Sequence, residues 1–315
     1  MAEVSPRVLR FAARVSGGPC RFILHTDEKP FRGGQCVVFA LEATHGWRFA
    51  VRVEHNISEA ILAKQEWQVW MLKTIKDFNI PHLPFLVGHE LSPSPPLIAT
   101  SWADGCELQW SDTVPPPHVR KHVIRRIAGV TLDMLKIQNP GLSALDWITS
   151  KIIRTRVNRV QQGNLEGISL SDAENLKAQI SLFHLPHLDN APYVLVHGDL
   201  QPSNIIMNDE TLSSVIDLGC ASMIPLQFST LYPKFLTNEP RQTGDTFDWS
   251  PCCYSEKQVQ DRDFYLQCIK EIAPTKGLDA QIYAEILGRE DQEARHWWLS
   301  AVFRLDMMRA LKTKP

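Results

Sequence analysis

The 315-residue chain has no uninterrupted apolar run approaching 18 residues, the least that a helix needs to cross a bilayer. Its opening stretch, Met1 to Val15, is broken by Pro6, Arg7, Arg10 and Arg14, so nothing there reads as a signal peptide. Neither sign of charge dominates. With 33 Lys and Arg against 35 Asp and Glu, the formal net charge of −2 argues against a nucleic-acid binder working through a general basic field. The seven cysteines (Cys20, Cys36, Cys106, Cys220, Cys252, Cys253 and Cys268) include no CxxC pair, and no Cys/His set has zinc spacing. A reduced, soluble, cytoplasmic protein with no membrane partner is therefore expected, its oligomeric state left open. Internal repeats and low-complexity tracts are also missing. What the chain does have is size and apolar content, 44% over its length, enough for one large or two modest domains with ample core.

The first hundred residues read as strands with a single strong helix. Cys36-Val37-Val38-Phe39-Ala40-Leu41 is a short apolar run, Thr44-His45-Gly46 is a turn, and Trp47 to Val53 alternates with the two-residue period of a half-buried strand. These predict a hairpin. Ser58 is placed to cap a helix from about Glu59 to Phe78, which Pro81 and Pro84 stop. Leu97 to Trp102 reads as another strand ending at the turn-former Ala103-Asp104-Gly105. Beyond Pro115-Pro116-Pro117 the pattern becomes helical, over His118–Ile137, Ser143–Gln161 and Ser171–Phe183. Tyr193–Val196 interrupts as a short buried strand, and two small strands follow around an Asn208-Asp209 turn. An α+β chain results, with a smaller β-rich lobe over residues 1–103 and a larger, mostly helical lobe over 104–315.

The informative segment is His197-Gly198-Asp199-Leu200-Gln201-Pro202-Ser203-Asn204, followed by Ile216-Asp217-Leu218-Gly219. A buried strand delivers Asp199 into a loop, and Asn204 stands five residues later at the start of the next strand. The hairpin then returns Asp217 toward Asn204. A carboxylate and an amide oxygen converging on one spot suit Mg²⁺, which prefers oxygen ligands and keeps its other positions for water and phosphate. Asp199 is left to orient an attacking hydroxyl or accept its proton. A loop of ordinary turn formers is the plainer reading of the same residues.

This order of residues resembles the catalytic loop of protein kinases and the metal-binding Asp that follows it. With His-Gly-Asp at its head, the chain is similar to the aminoglycoside phosphotransferase and choline-kinase branch of the phosphotransferase enzyme family, and to its fungal members in layout. The resemblance implies a bilobal protein-kinase-like fold and phosphoryl transfer from ATP, with Mg²⁺, to a hydroxyl of a small-molecule acceptor. It implies Asp199 as the catalytic group, Asn204 and Asp217 as the metal ligands, and His197 as a brace for the loop. It also implies that Ala50 and Arg52, on one face of their strand, meet the nucleotide, with Arg52 standing where a Lys is usual. Ser101, Trp102 and Ala103 fall where the family offers backbone hydrogen bonds to adenine. Glu66, read on the buried helical face between Leu62 and Val69, is the expected partner of Arg52, with Glu59 as the alternative. Gly33-Gly34 resembles a shortened phosphate-covering loop, although a hairpin turn explains it equally well. No Ala-Pro-Glu segment follows Asp217, which speaks against a protein acceptor. Glu239, Asp245, Asp248, Asp261 and Asp263 lie in a stretch that could line an acceptor site and attract an amine, although an ordinary solvated surface is the plainer reading of the same residues. Two other readings keep the fold: a nucleotide-binding protein without catalysis, and an enzyme repurposed for non-kinase chemistry on a secondary metabolite or diphosphate.

Overall fold

The computed structural model describes residues 4–23, 31–32, 36–54, 58–92, 95–244, 246–312 and 314. The chain divides into a first unit, Met1–Glu107 with Asn204–Gly219, and a second, Leu108–Ser203 with Cys220–Pro315. The reading of residues 1–103 and 104–315 as two lobes did not assign the 204–219 hairpin to the first.

The first unit runs α1 (Val4–Ser16), β1 (Cys20–Phe22), β2 (Phe31–Arg32), β3 (Cys36–Ala43), β4 (Arg48–Glu54), α2 (Glu59–Asp77), β5 (Leu86–Glu90), β6 (Leu97–Ser101) and β7 (Cys106–Glu107). Its main sheet has the order β1-β3-β4-β6-β5, with β2 also on β3, and every pairing is antiparallel. Alternation sorts the residues of the β3–β4 hairpin as expected. Phe39, Leu41, Phe49, Val51 and Val53 face one core, while Ala50 and Arg52 lie half-buried on the other face. Ala40 pairs with Ala50 and Val38 with Arg52, and on the other side Ile98 is opposite Arg52.

The helix α1 was not expected. Val8, Phe11 and Ala12 recur at helical spacing and are buried in the same core as Phe49 and Val51, with Val15 packed alongside. Arg7 and Arg14 both pair with Glu90. Arg7 and Arg14 thus lie on the polar side of an amphipathic helix. In α2 the Ser58 side chain accepts from Ile61 N at 3.3 Å, the expected cap. The buried face is Gln65, Gln68, Met71, Leu72 and Ile75, however, and Glu66 is exposed. Two inward glutamines carry no apolar signal, so a face read from Leu62, Val69 and Leu72 is rotated away from the true one.

The 204–219 segment forms an antiparallel hairpin of Ile205–Asn208 and Thr211–Val215, extended by β7 on the outer side of Ile206 and Met207. Gly105 makes the approach of β7 possible, because a Cβ there would lie 1.9 Å from the Met207 carbonyl oxygen.

The second unit opens with α3 (Pro117–Met134), a proline at its first turn where no amide partner is lost. Helices Ala144–Ile152 and Asn158–Gln161 are joined by a π turn at Ile153–Val157, from which Arg156 reaches the carbonyls of Ala301 and Val302. Ile148, Ile152, Phe183, Phe228, Trp298 and Val302 belong to one buried cluster. Tyr193–Val196 is the middle strand of a small sheet, between Gln138–Asn139 and Ser222–Pro225. A further hairpin, Arg241–Thr243 with Thr246–Asp248, lies in the proline-punctuated stretch between Pro225 and Pro251, which also carries Pro233 and Pro240 and reads from sequence as having no strand. Among the described residues no helix is long and apolar enough to cross a membrane.

Candidate functional site

In the first unit the chemistry gathers around Arg52. Its Nε donates to Glu54 Oε1 at 3.1 Å, two residues along the same strand, and its Nη1 donates to Asp217 Oδ1 at 3.3 Å. Glu54 Oε1 also accepts from Gln65 Nε2 of α2 at 2.8 Å. Glu54 is thus a buried carboxylate held by one cation and one amide, the arrangement that burial of such a group demands. Burial works against the Arg52 charge, yet the anions around it, Glu54 and Asp217 among them, more than offset this, so its pKa stands above the ordinary arginine value. Burial also pushes the Cys36 thiol up, leaving it neutral near pH 7.

The expected partner of Arg52 is therefore replaced. Glu66 is exposed, and the carboxylates on Arg52 are Glu54 of its own strand and Asp217. The signal was present in the sequence, since residues 52 and 54 share a face at period two.

Asp217 stands at φ +57°, in the left-handed region that side chains seldom adopt, and its side chain is about half exposed (52%). Its Oδ1 additionally accepts from Gly219 N at 3.2 Å. Asn204 is buried, and its backbone carbonyl accepts from Ile216 N at 2.8 Å, next to the Ile205–Val215 register pair. The hairpin thus closes with Asn204 opposite the residue that precedes Asp217. The sequence-predicted pair stands together at the open end of one supersecondary element.

Ala50 lies two residues from Arg52 on the same face, with Ala40 and Thr100 as its cross-strand neighbours. Ser101 N and Oγ are both engaged with Phe85, the first as donor at 3.1 Å and the second as acceptor at 3.2 Å. The Trp102 ring lies 6.4 Å from that of Phe31, and its Nε1 donates to Asp104 Oδ1 at 3.0 Å. Ala103 is half-buried where the chain leaves the sheet. Gly33 and Gly34 lie outside the described residues.

In the second unit, Asp199 follows the buried end of Tyr193–Val196. Gly198 has φ +76°, and a Cβ there would come within 2.4 Å of the Cys220 carbonyl oxygen, so only glycine fits this close crossing. His197 is buried, and its Nδ1 accepts from Asp199 N at 3.2 Å, which braces the loop from within. Both Asp199 oxygens are engaged: Oδ1 with Lys234 Nζ at 2.6 Å, Oδ2 with Gln201 Nε2 at 3.2 Å. Lys234 was not anticipated. It is distant in sequence, and no periodic or motif signal marks it.

The acidic stretch does not form one lining. Asp261 is buried and bound by Arg120 at 2.7 Å, Glu239 pairs with Arg304, and Asp248 accepts from Ser250 N at 2.9 Å. Asp245 lies outside the described residues.

Residues 27–228 match the model of the phosphotransferase enzyme family, well over half of the chain. The chain belongs to that family. Its fold is the kinase-like one of the aminoglycoside phosphotransferases. A thermostable mutant of APH(4)-Ia, in ternary complex with ADP and hygromycin B, aligns over 94% of this chain and 97% of its own at 12% identity, with a TM-score of 0.53. A second thermostable mutant of that enzyme, with AMP-PNP and hygromycin B, aligns over 98% and 99% at 13% identity and a TM-score of 0.53. The streptomycin–ATP–APH(2'')-IIa complex aligns over 96% and 97% at 12% identity and a TM-score of 0.50. The chain matches no curated protein sequence. In this member of the phosphotransferase family, Arg52 is paired with a carboxylate of its own strand, Glu54.

Proposed function

We propose that this family member transfers the terminal phosphoryl group of ATP, bound with Mg²⁺, to a hydroxyl of a small molecule. The observation that carries the reading is the Arg52–Asp217 contact at the open end of the Asn204 hairpin. It brings the Arg52 fork against a half-exposed carboxylate, at the end of the hairpin that Asn204 opens. A carboxylate and an amide oxygen are the hard donors that suit Mg²⁺. Asn204 and Asp217 would hold the ion, which supplies neutralisation of phosphate charge.

The chain's own residues have distinct tasks. Ala50 leaves space for a flat base above its methyl, and beyond Ser101, whose amide is held by Phe85, the backbone at Trp102 and Ala103 offers hydrogen bonds to its edge. Arg52, anchored by Glu54, binds phosphate oxygens through its fork, and Glu66 is left without a part. Gly33 and Gly34 provide backbone amides to the phosphates. Asp199 receives the acceptor hydroxyl, aligns its oxygen and takes its proton. Catalysis of this kind rests on alignment and charge, with no covalent enzyme intermediate.

Thermal unfolding with ATP, with and without Mg²⁺, tests binding, and phosphate transfer to aminocyclitols such as hygromycin B and to neutral polyols tests chemistry. Saturation at a hundred dissociation constants adds about 2.7 kcal/mol of stability. A Mg²⁺-dependent upshift with transfer is expected. An upshift without transfer to any acceptor favours the nucleotide-binding reading, to which Arg52 lends some support, and no upshift removes ATP from the proposal.

A further inference from the structure

Lys234 places a cation on the Asp199 carboxylate, and it comes from a different part of the fold. Its ammonium is 2.6 Å from Asp199 Oδ1. The turn that carries it, Lys234–Leu236, is fixed on both sides. Pro233 precedes it, Phe235 and Leu236 are buried, Phe235 N donates to Leu200 O at 3.3 Å, and the Phe235 ring packs edge-on against Trp110 with centroids 4.8 Å apart. A side chain beside two buried neighbours, tied to the very loop that bears Asp199, has little freedom to leave. The lysine stem itself remains 37% exposed, so it fills no core.

We propose that Lys234 is a positioning residue for phosphoryl transfer, setting the plane and charge of Asp199. The inference rests on the role given above to Asp199. With Lys234 on Oδ1, the carboxylate cannot rotate without breaking a charge-assisted hydrogen bond, the stronger kind. Gln201 on Oδ2 is a neutral and longer contact, so Oδ2 is the oxygen that an incoming hydroxyl takes over. Lys234 thereby assigns different tasks to two chemically equal oxygens. Removing it leaves Asp199 free to turn away from the hydroxyl, and near-attack alignment is where a small displacement is felt most in turnover. Nucleotide affinity, placed on first-unit residues, is not touched.

The test measures phosphate release from Mg²⁺-ATP, to the best acceptor found or to water, for wild type, Lys234→Met, Lys234→Arg, Asp199→Asn and the double variant Asp199→Asn/Lys234→Met. Lys234→Met is expected to lower kcat by about ten-fold to a hundred-fold, within the span of acid–base contributions, with KM for ATP within three-fold of wild type. Lys234→Arg restores much of the loss, and Lys234→Met adds less than three-fold in the Asp199→Asn background because the two act as one unit. A Lys234→Met enzyme at wild-type kcat overturns the inference alone, as does an equal loss in both backgrounds. A wild-type chain that releases no phosphate from Mg²⁺-ATP overturns the proposed function and this inference with it.

Discussion

Glu54 and Arg52 share one face of one strand, with Glu54 Oε1 3.1 Å from Arg52 Nε and 2.8 Å from Gln65 Nε2. The carboxylate that fixes Arg52 therefore belongs to its own strand, and the helix contributes an amide instead of an acid. Glu54→Gln is expected to raise KM for ATP about ten-fold, because a hydrogen bond to a charged group contributes about 1.5–3 kcal/mol. Glu66→Gln, at an exposed helical position, leaves KM within two-fold. Initial-rate kinetics on the two variants decide the matter, and a larger effect at Glu66 returns the partner to the helix.

Asp217 combines a strained backbone with a half-exposed carboxylate. Asp217→Ala is expected to lower kcat by about a hundred-fold or more, as loss of an electrostatic stabiliser does, and to abolish the Mg²⁺-dependent part of the thermal shift. Asp217→Gly removes the same oxygens but relieves the left-handed φ of +57°, so it unfolds at a temperature no lower than the Ala variant. Calorimetry of the two variants beside their activity separates strain from ligation.

The parts of the fold legible in the sequence are those with a local period or a fixed spacing. The β3–β4 hairpin, the Ser58 cap and the 205–215 hairpin all follow from patterns within about 20 residues. Glu54 was legible in principle, since alternation places it beside Arg52, but a buried charge on a strand reads as surface until its partners are known. The helix α1 hid behind its arginines, which looked like breaks in an apolar run and are its polar side, Arg7 and Arg14 both meeting Glu90. Lys234 was not legible at all. Its contact with Asp199 depends on how a proline-punctuated stretch folds back, and such stretches carry turn signals without direction.

Gly198 has no room for a side chain. A Cβ would meet the Cys220 carbonyl oxygen at 2.4 Å, and φ of +76° already disfavours any other residue. Gly198→Ala is expected to destabilise the chain by about 1–3 kcal/mol and to cut turnover beyond what the stability loss explains, because the loop that must shift carries Asp199. Activity measured well below the unfolding midpoint, where the variant is folded, checks the second part.

His296 is buried, its Nδ1 has no hydrogen-bond partner among the described residues, and burial pulls its pKa down from 6.5 to about 4. In the unfolded chain the ring binds a proton near pH 6.5, while in the fold it stays neutral until about pH 4. The unfolded state therefore holds more protons in that interval, and stability falls as pH drops from about 6.5 to about 4, by up to about 3 kcal/mol. Above pH 6.5 the contribution is complete and flat. His296→Phe flattens the slope of urea-unfolding free energy between pH 6.5 and 4.5, and an unchanged slope assigns the pH dependence to other groups.

Asp261 was read as a surface acid near the acceptor and is instead the buried counter-charge of Arg120. The Arg120 guanidinium donates to it at 2.7 Å, lies 3.9 Å over the Trp110 ring and caps the carbonyls of Ser111 and Val114. A charge so placed cannot attract an amine from solvent, but its loss leaves Arg120 buried without an anion. Asp261→Asn is expected to cost about 3–5 kcal/mol, while Arg120→Met/Asp261→Leu, which removes both charges, costs less than Asp261→Asn alone. Chemical denaturation of the three variants gives the coupling, and the acceptor KM measured on folded Asp261→Asn stays within two-fold of wild type. A many-fold rise in that KM with stability unchanged would return Asp261 to the acceptor site.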